Sequence, residues 1–527
     1  MYDRLPSEPL VDDVIIPSEA PKSPILPNED VLFLQDLEDV PQGRHLGLFS
    51  TIVLFVARMV GSGIFATSSG IFQDSGRSPF WFFMAWIVAA LLSFAGLYVY
   101  LELGSLVPRS GGTKPFLEFI YNRPKMMVSV VFLMFSVMFG VTILNILVFG
   151  EYFCYSVGIN PTDFLIRLSG LLFLFLATTI HGISVSHGIR VQNILGALKL
   201  GLLAAMIITG VYAVFVPSSI SHIDSNFHWD TFFKVPGTFT ASSFSSAVIR
   251  ATFAFSGWNT VHTVSNEIKD PVRTFKIAGP ASLIIVSITY LWTNLAYLVV
   301  IPENELVSTG RLAGSLLFEK LFGVNVGRRL LTFSIAMSAG GNVFVVLYTI
   351  SRVNQEVFRE GYLPLSRFFA SNWPFGSPFR SLLLSCVLST LVIALSPKGD
   401  VYNYVVALEQ YPQQLFIAMA AIGVFILRHR YPDVRAPIRS TRIGALLIVL
   451  VAGYLLITPF TSKSPNPKGL EQWPSYALVA IICLLIPFFY WLVMFHIGPK
   501  AGGYTLMSEE MQLSDGLTIK NWVKIYR

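Results

Sequence analysis

The 527-residue chain is 53% hydrophobic and 13% charged, with a mean hydropathy of +0.62, whereas soluble domains carry about 25% charged residues. Most of the length therefore has no water to face, which excludes a string of soluble domains and leaves one integral membrane domain with short tails. The 37 Lys and Arg outnumber the 31 Asp and Glu; in a membrane protein that excess belongs to cytoplasmic loops and anionic lipid, so no nucleic-acid partner is expected.

Residues 1–46 hold ten acidic against three basic side chains and seven prolines, from Pro6 to Pro41. They lack the basic and apolar regions of a signal peptide and bury too little surface to fold, so an acidic, disordered cytoplasmic tail is expected. Twelve apolar stretches follow, at about 47–73, 79–104, 126–155, 163–185, 191–216, 242–267, 277–301, 327–355, 379–397, 401–428, 441–461 and 474–497, each near the ~20 residues that cross a bilayer. The turn Ser396–Asp400 makes the ninth boundary the least defined. Basic residues gather in the second-to-third loop (Arg109, Lys114, Arg123, Lys125), the sixth-to-seventh (Lys269, Arg273, Lys276), the eighth-to-ninth (Arg352, Arg359, Arg367, Arg380) and the tenth-to-eleventh (Arg428, Arg430, Arg435, Arg439, Arg442). All four lie on the side of the termini, which the positive-inside rule makes cytoplasmic; Arg328 and Arg329 run against it. Cys154, Cys386 and Cys483 sit in or beside apolar stretches without CxxC spacing, so neither a disulfide framework nor a zinc site is expected.

Two spans carry small residues at mid-depth: Gly61-Ser62-Gly63 in the first and Ser256-Gly257 in the sixth. Either alone also suits close helix packing. Their positions, five spans apart, match two five-helix repeats of opposite topology, and interrupted segments at matching positions point to a transporter's midplane site. Unwound backbone survives at that depth only when buried or lining a cavity. Freed N–H groups then suit a carboxylate and freed carbonyls an ammonium, giving a carrier of a small zwitterion or anion.

Gly61-Ser62-Gly63-Ile64-Phe65 resembles the GSGIF signature of the amino acid–polyamine–organocation superfamily. Tyr100–Gly104 with Pro108 and Ser110-Gly111-Gly112, Arg190–Asn193 with Lys199, Phe253–Asn259, Glu267–Pro271, Arg359–Pro364, and Leu427-Arg428 with Pro432-Asp433 and Pro437-Ile438 agree in order and spacing. Over about residues 45–460 the chain resembles the L-type amino acid transporter branch, nearest to fungal methionine permeases. The resemblance implies an all-α integral membrane fold: a five-plus-five inverted repeat with discontinuous helices 1 and 6, a transport core over 47–428, helices 11 and 12 within 429–497, and a cytoplasmic tail over 498–527. It implies a plasma-membrane permease importing neutral amino acids, methionine foremost, by proton symport. Gly61, Ser62, Gly63 and Ile64 would hold the carboxylate side; Phe253, Ala254, Phe255, Ser256, Gly257, Trp258 and Asn259 would form the ammonium side, with Phe253 as outer aromatic gate. Ser256 stands where the family has glycine. The position of the cysteine that links animal members to a single-pass partner falls near Pro161, so no disulfide-linked heavy chain is expected. Lys22, Lys520 and Lys524 are candidate ubiquitin acceptors for adaptors at the tails.

Ionisable residues inside spans are functional candidates because insertion is costly. Lys199, two turns into the fifth span, matches the lysine that stands for sodium in sodium-independent relatives; it is expected to tether the first helix near Gly61 and to titrate during coupling. Arg58, one turn before Gly61, is paired in expectation with Glu267 as an inner gate. Glu102 reads as an interface pair. Glu151 lies near a span end, and Glu409, beside Gln410, Gln413 and Gln414, stands in a polar stripe of open role. His262 reads as structural, and Asn342 as facing the site. Besides a symporter, an obligate exchanger and a nutrient-sensing receptor on the same fold remain open. HExxH, GxSxG and Walker patterns are absent, so no enzyme, cofactor, metal or ATP-driven pump is expected.

Overall fold

A computed structural model describes residues 47–61, 63–107, 112–216, 226–259, 262, 268–396, 401–461, 470 and 472–526. The acidic segment 1–46 with Lys22, together with Ser62, residues 108–111, Glu267 and the turn 397–400, lies outside the described residues.

Among the described residues ten helical stretches are long and apolar enough to cross a membrane, from Leu48–Ala66 to Tyr476–Gly502. The expected ninth span forms a shorter apolar helix, Phe379–Leu395, of 17 residues. The expected sixth begins as Ala241–Ala254, 14 residues long, and stops there. Local chemistry sets these limits. Thr240 and Ser243 form a reciprocal capping box at the start of the sixth. Pro79 opens the Pro79–Leu106 helix, where its missing N–H costs nothing. The Asp270 carboxylate caps Pro271–Val300 by accepting from the Arg273 N–H. The fifth span starts at Val185 rather than near 191, because the Ser184 side chain accepts from the His187 N–H and caps it early.

The third span departs from its expected continuity over 126–155. It consists of Met127–Met138 and Ile143–Ser156, separated where Gly140 precedes β-branched Val141 and Thr142. The Thr142 N–H takes the Ser389 hydroxyl as acceptor at 3.3 Å, which partners a backbone group freed by the gap.

The first span packs on Pro271–Val300 through an edge-to-face pair of Phe55 and Phe275, with ring centroids 6.1 Å apart, and through the Ser282 hydroxyl, which donates to Ile52 O. Outward faces are apolar: Leu172 and Phe175 on Asp163–Ile183, Ile208 on Val185–Phe215 and Leu450 on Arg442–Thr461 are all exposed. Continuous apolar surface of this kind belongs against lipid.

Among the described residues one β-hairpin departs from the helical architecture. β1 (Tyr504–Gln512) pairs antiparallel with β2 (Thr518–Tyr526), from Tyr504 opposite Tyr526 to Gln512 opposite Thr518. It lies within the segment read as a C-terminal tail. Trp522 stacks on Tyr362 at 5.1 Å and its indole N–H donates to Glu360 O, while Ile519 is buried.

Candidate functional site at the helix breaks

The first span runs Leu48–Met59, unwinds through Val60 and Gly61, and resumes at Gly63–Ala66 and Ser68–Asp74. The sixth unwinds after Ala254 into a turn over 255–259. The two unwound segments cross, and glycine permits the crossing. A Cβ on Gly63 would come within 2.7 Å of Ala254 Cα, and one on Gly257 within 2.8 Å of Arg58 O. Gly257 also has φ +117°, a conformation that L side chains rarely adopt.

Backbone oxygens released by the breaks are met from neighbouring helices, as membrane depth requires. The Tyr290 hydroxyl stands 3.0 Å from both Met59 O and Ala254 O, close enough to donate to either, and so joins the two breaks to Pro271–Val300. Lys199 Nζ donates to Ala57 O at 2.8 Å and to Asn342 Oδ1 at 2.6 Å. Asn342 Nδ2 in turn donates to Asn145 Oδ1 at 3.4 Å. This chain ties the first, third, fifth and eighth spans around one point.

A cavity of about 180 Å³ opens at the crossing. Arg58, Met59, Gly61 and Gly63 line it from the first span; Phe253, Ala254 and Ser256 from the sixth; and Val141–Asn145 from the gap in the third. Asn342, Val346 and Glu409 complete the wall. One flank is thus polar and rich in backbone groups, and the other apolar, the pattern of a small-molecule site.

The structure thereby gathers Gly61, Gly63, Phe253, Ala254, Ser256 and Arg58 around one space. Ile64 and Phe255, each 1% exposed, support the breaks from behind instead of lining them. Phe255 packs against Trp86 and Tyr290. Trp258 stands edge-on to Tyr100 at 5.2 Å, and Asn259 ends the turn; neither lines the cavity. His262 is packed among Tyr100, Phe116 and Phe275. Ser62 and Glu267 lie outside the described residues, so the expected Arg58–Glu267 pair has no structural description.

Residues 46–493 match the Amino acid permease family. The chain belongs to that family. This permease is 42% identical over 490 residues to the low-affinity methionine permease of Saccharomyces cerevisiae, covering 92% of the chain and 89% of that protein. It is 31% identical over 496 residues to the high-affinity methionine permease of the same organism, covering 93% and 86%. A more distant likeness, 28% over 429 residues, is to the large neutral amino acids transporter small subunit 2 of Oryctolagus cuniculus, covering 80% and 76%.

The permease also contains an arrangement that the sequence reading missed. Arg250, in the sixth span, bonds Asp74 Oδ2 through Nε at 2.9 Å and Asn403 Oδ1 through Nη1 at 2.7 Å. The latch joins the end of Ser68–Asp74 and the last turns of Ala241–Ala254 to the start of Val401–Arg430. Nearby, the Tyr152 hydroxyl donates to Arg311 O and the Arg311 guanidinium pairs with Glu151 at 2.7 Å, fastening the Gly310–Gly323 segment to the third span. At the opposite end Arg428 grips Glu102 with two bonds of 2.8 and 2.6 Å, and Ser440 adds two more through its N–H and hydroxyl. Glu102 is thus paired, with Arg428 at the end of Val401–Arg430 as its partner. Arg250 carried a signal, a charge within an apolar stretch, but its partners lie 176 and 153 residues away. Tyr290 carried none.

Proposed function

We infer that the permease imports neutral amino acids, methionine foremost, by proton symport with alternating access. Its frame would be twelve spans in a five-plus-five inverted repeat with two further helices, in the plasma membrane with both termini cytoplasmic. The observation that carries this reading is the crossing of two interrupted helices at one cavity, in a chain 42% identical to a methionine permease. The substrate carboxylate would meet the backbone N–H groups around Gly61–Gly63, and the ammonium the carbonyls of the sixth-span break. The side chain would then lie along Val141, Ile143, Leu144 and Val346, apolar groups that suit an unbranched thioether.

The Asp74–Arg250–Asn403 latch supports a state closed at the Asp74 end, the extracellular end in this orientation. Opening would require Arg250 to release both partners, while the crossing at Gly63 and Gly257 carries the two breaks together. Arg58 and Lys199 stand on the cytoplasmic half. No disulfide-linked partner is proposed, and Lys22, Lys520 and Lys524 are the candidate ubiquitin acceptors.

Radiolabelled methionine uptake into proteoliposomes tests the reading. Accumulation in empty vesicles that rises with an inward proton gradient is the expected result. Uptake confined to amino-acid-loaded vesicles would make the protein an exchanger, and binding without uptake a receptor.

A further inference from the structure

Among the described residues the cavity wall contains two ionisable side chains, Arg58 and Glu409. A guanidinium does not release its proton in proteins, so the carboxyl is the one group there able to exchange one. Glu409 Oε1 is sealed from solvent and has no hydrogen-bond partner among the described residues. Three residues on, Pro412 interrupts the helix ladder, since it has no N–H for the Leu408 carbonyl. A buried carboxylate oxygen without a donor is unfavourable, and a bound proton removes that penalty.

Of the charged groups on the elements packed around Val401–Arg430, Arg442 is exposed at the start of Arg442–Thr461 and the others are engaged elsewhere. Glu102 on Pro79–Leu106 is held by Arg428. Lys114 and Glu118 on Thr113–Ile120 pair with each other, and Lys114 also with Glu360. Glu151, on the far half of the third span, is held by Arg311. Tyr476, from Tyr476–Trp491, faces Tyr411 with ring centroids 6.4 Å apart, and Tyr454 on Arg442–Thr461 bonds Ser245. Lys199 stands behind Asn342 and donates to two oxygens. Among the charged groups of the described residues, Arg58 shares the cavity wall with Glu409.

We propose that Glu409 carries the transported proton. This rests on the symport reading above. A proton from external water adds to the Glu409 carboxylate, travels with the zwitterion, and leaves to cytoplasmic water, restoring the carboxylate. No bond of the amino acid changes, and one positive charge crosses per molecule carried. The coupling is electrostatic. An ionised Glu409 on the wall repels the substrate carboxylate, and a neutral Glu409 removes that repulsion. Lys199, on this account, positions the first helix and does not carry the proton.

The test is proton uptake on methionine binding, read with a pH dye in weakly buffered detergent solution beside a direct binding measurement. The wild type is expected to take up about one proton per methionine, with an affinity that weakens as pH rises. Glu409→Gln should take up none and bind with an affinity independent of pH. Should Glu409→Gln not bind at all, Glu409→Asp decides: a displaced pH midpoint supports the proposal and an unchanged one overturns it. Proton uptake by Glu409→Gln equal to the wild type overturns the assignment alone. No proton uptake by the wild type overturns the symport reading and this proposal with it.

Discussion

The middle of the permease and its two ends treat charge in opposite ways. At the ends, acidic and basic groups meet: Asp74 with Arg250, Glu151 with Arg311, Glu102 with Arg428, and Glu360 with Lys114 and Lys520. At mid-depth, polar groups face a space, and Glu409 Oε1 has no donor among the described residues. Paired charges fix how helices meet, whereas a group left unpaired around a cavity keeps its capacity for something that arrives. Fixed ends and an unsatisfied centre are what a carrier of a small zwitterion needs.

That contrast breaks most readily at the crossing. Gly63→Val would force branched carbons into Ala254, whose Cα already stands 2.7 Å from where a Cβ would lie. Overpacking of this kind costs about 1–3 kcal/mol, so methionine uptake per molecule at the membrane should fall roughly tenfold to a hundredfold. Uptake within twofold of the wild type would mean that the breaks separate freely. Lys199→Met ranks next. It removes two bonds from a cation, and a net loss of about 1.5 kcal/mol, the worth of one such bond, would lower uptake about tenfold. Unchanged uptake would make Lys199 a bystander to the first helix.

The parts legible in the sequence were those encoded locally. Gly61-Ser62-Gly63 and Ser256-Gly257 announce their breaks because glycine and serine are poor choices for a helix interior. Most spans were legible from apolar length. The gap in the third span was not, because Gly140-Val141-Thr142 is a weak signal inside a strongly apolar run. Phe255 and Trp258 share the sixth-span motif with Phe253, yet they point away from the cavity, and only the path of the turn decides that. The latch residues were illegible for another reason: Arg250 finds Asp74 and Asn403 only once three distant segments are packed. The hairpin over 504–526 was read as a plain tail, since two short strands with mixed polarity carry no apolar signature of their own.

The two ends also differ in what they should control. Asp74→Asn weakens the latch while leaving the cavity wall intact. Its partners are about a quarter exposed, and pairs near solvent are worth up to about 1 kcal/mol. The fraction open at that end should therefore rise about two- to fivefold, read as the labelling rate of a cysteine placed at Phe253. An unchanged rate would show that the Arg311–Glu151 fastening, not the latch, closes that end.

The smallest effect belongs to the hairpin at the opposite end, and pH gives it a sign. Burial acts to raise the Glu360 carboxyl, but Lys114 and Lys520 outweigh it and hold the group below its ordinary 4.5. For Asp515 slight burial is likewise outweighed, chiefly by the Asn372 N–H and the Ser371 hydroxyl, and the carboxyl sits below 3.8. Both are depressed carboxylates, so their contribution to docking is complete above those ordinary values and is lost as pH falls through the lower, docked ones. Lys520 is half exposed, which limits what its pair with Glu360 contributes. Glu360→Gln should then speed amide exchange over 504–526 about twofold at pH 7, after correction for intrinsic rates. The wild type should approach the variant as pH drops further below the ordinary 4.5. Exchange that is equal at pH 7 would assign the docking to Trp522 on Tyr362 and to the Arg359 bond with Thr518 O, contacts that no proton removes.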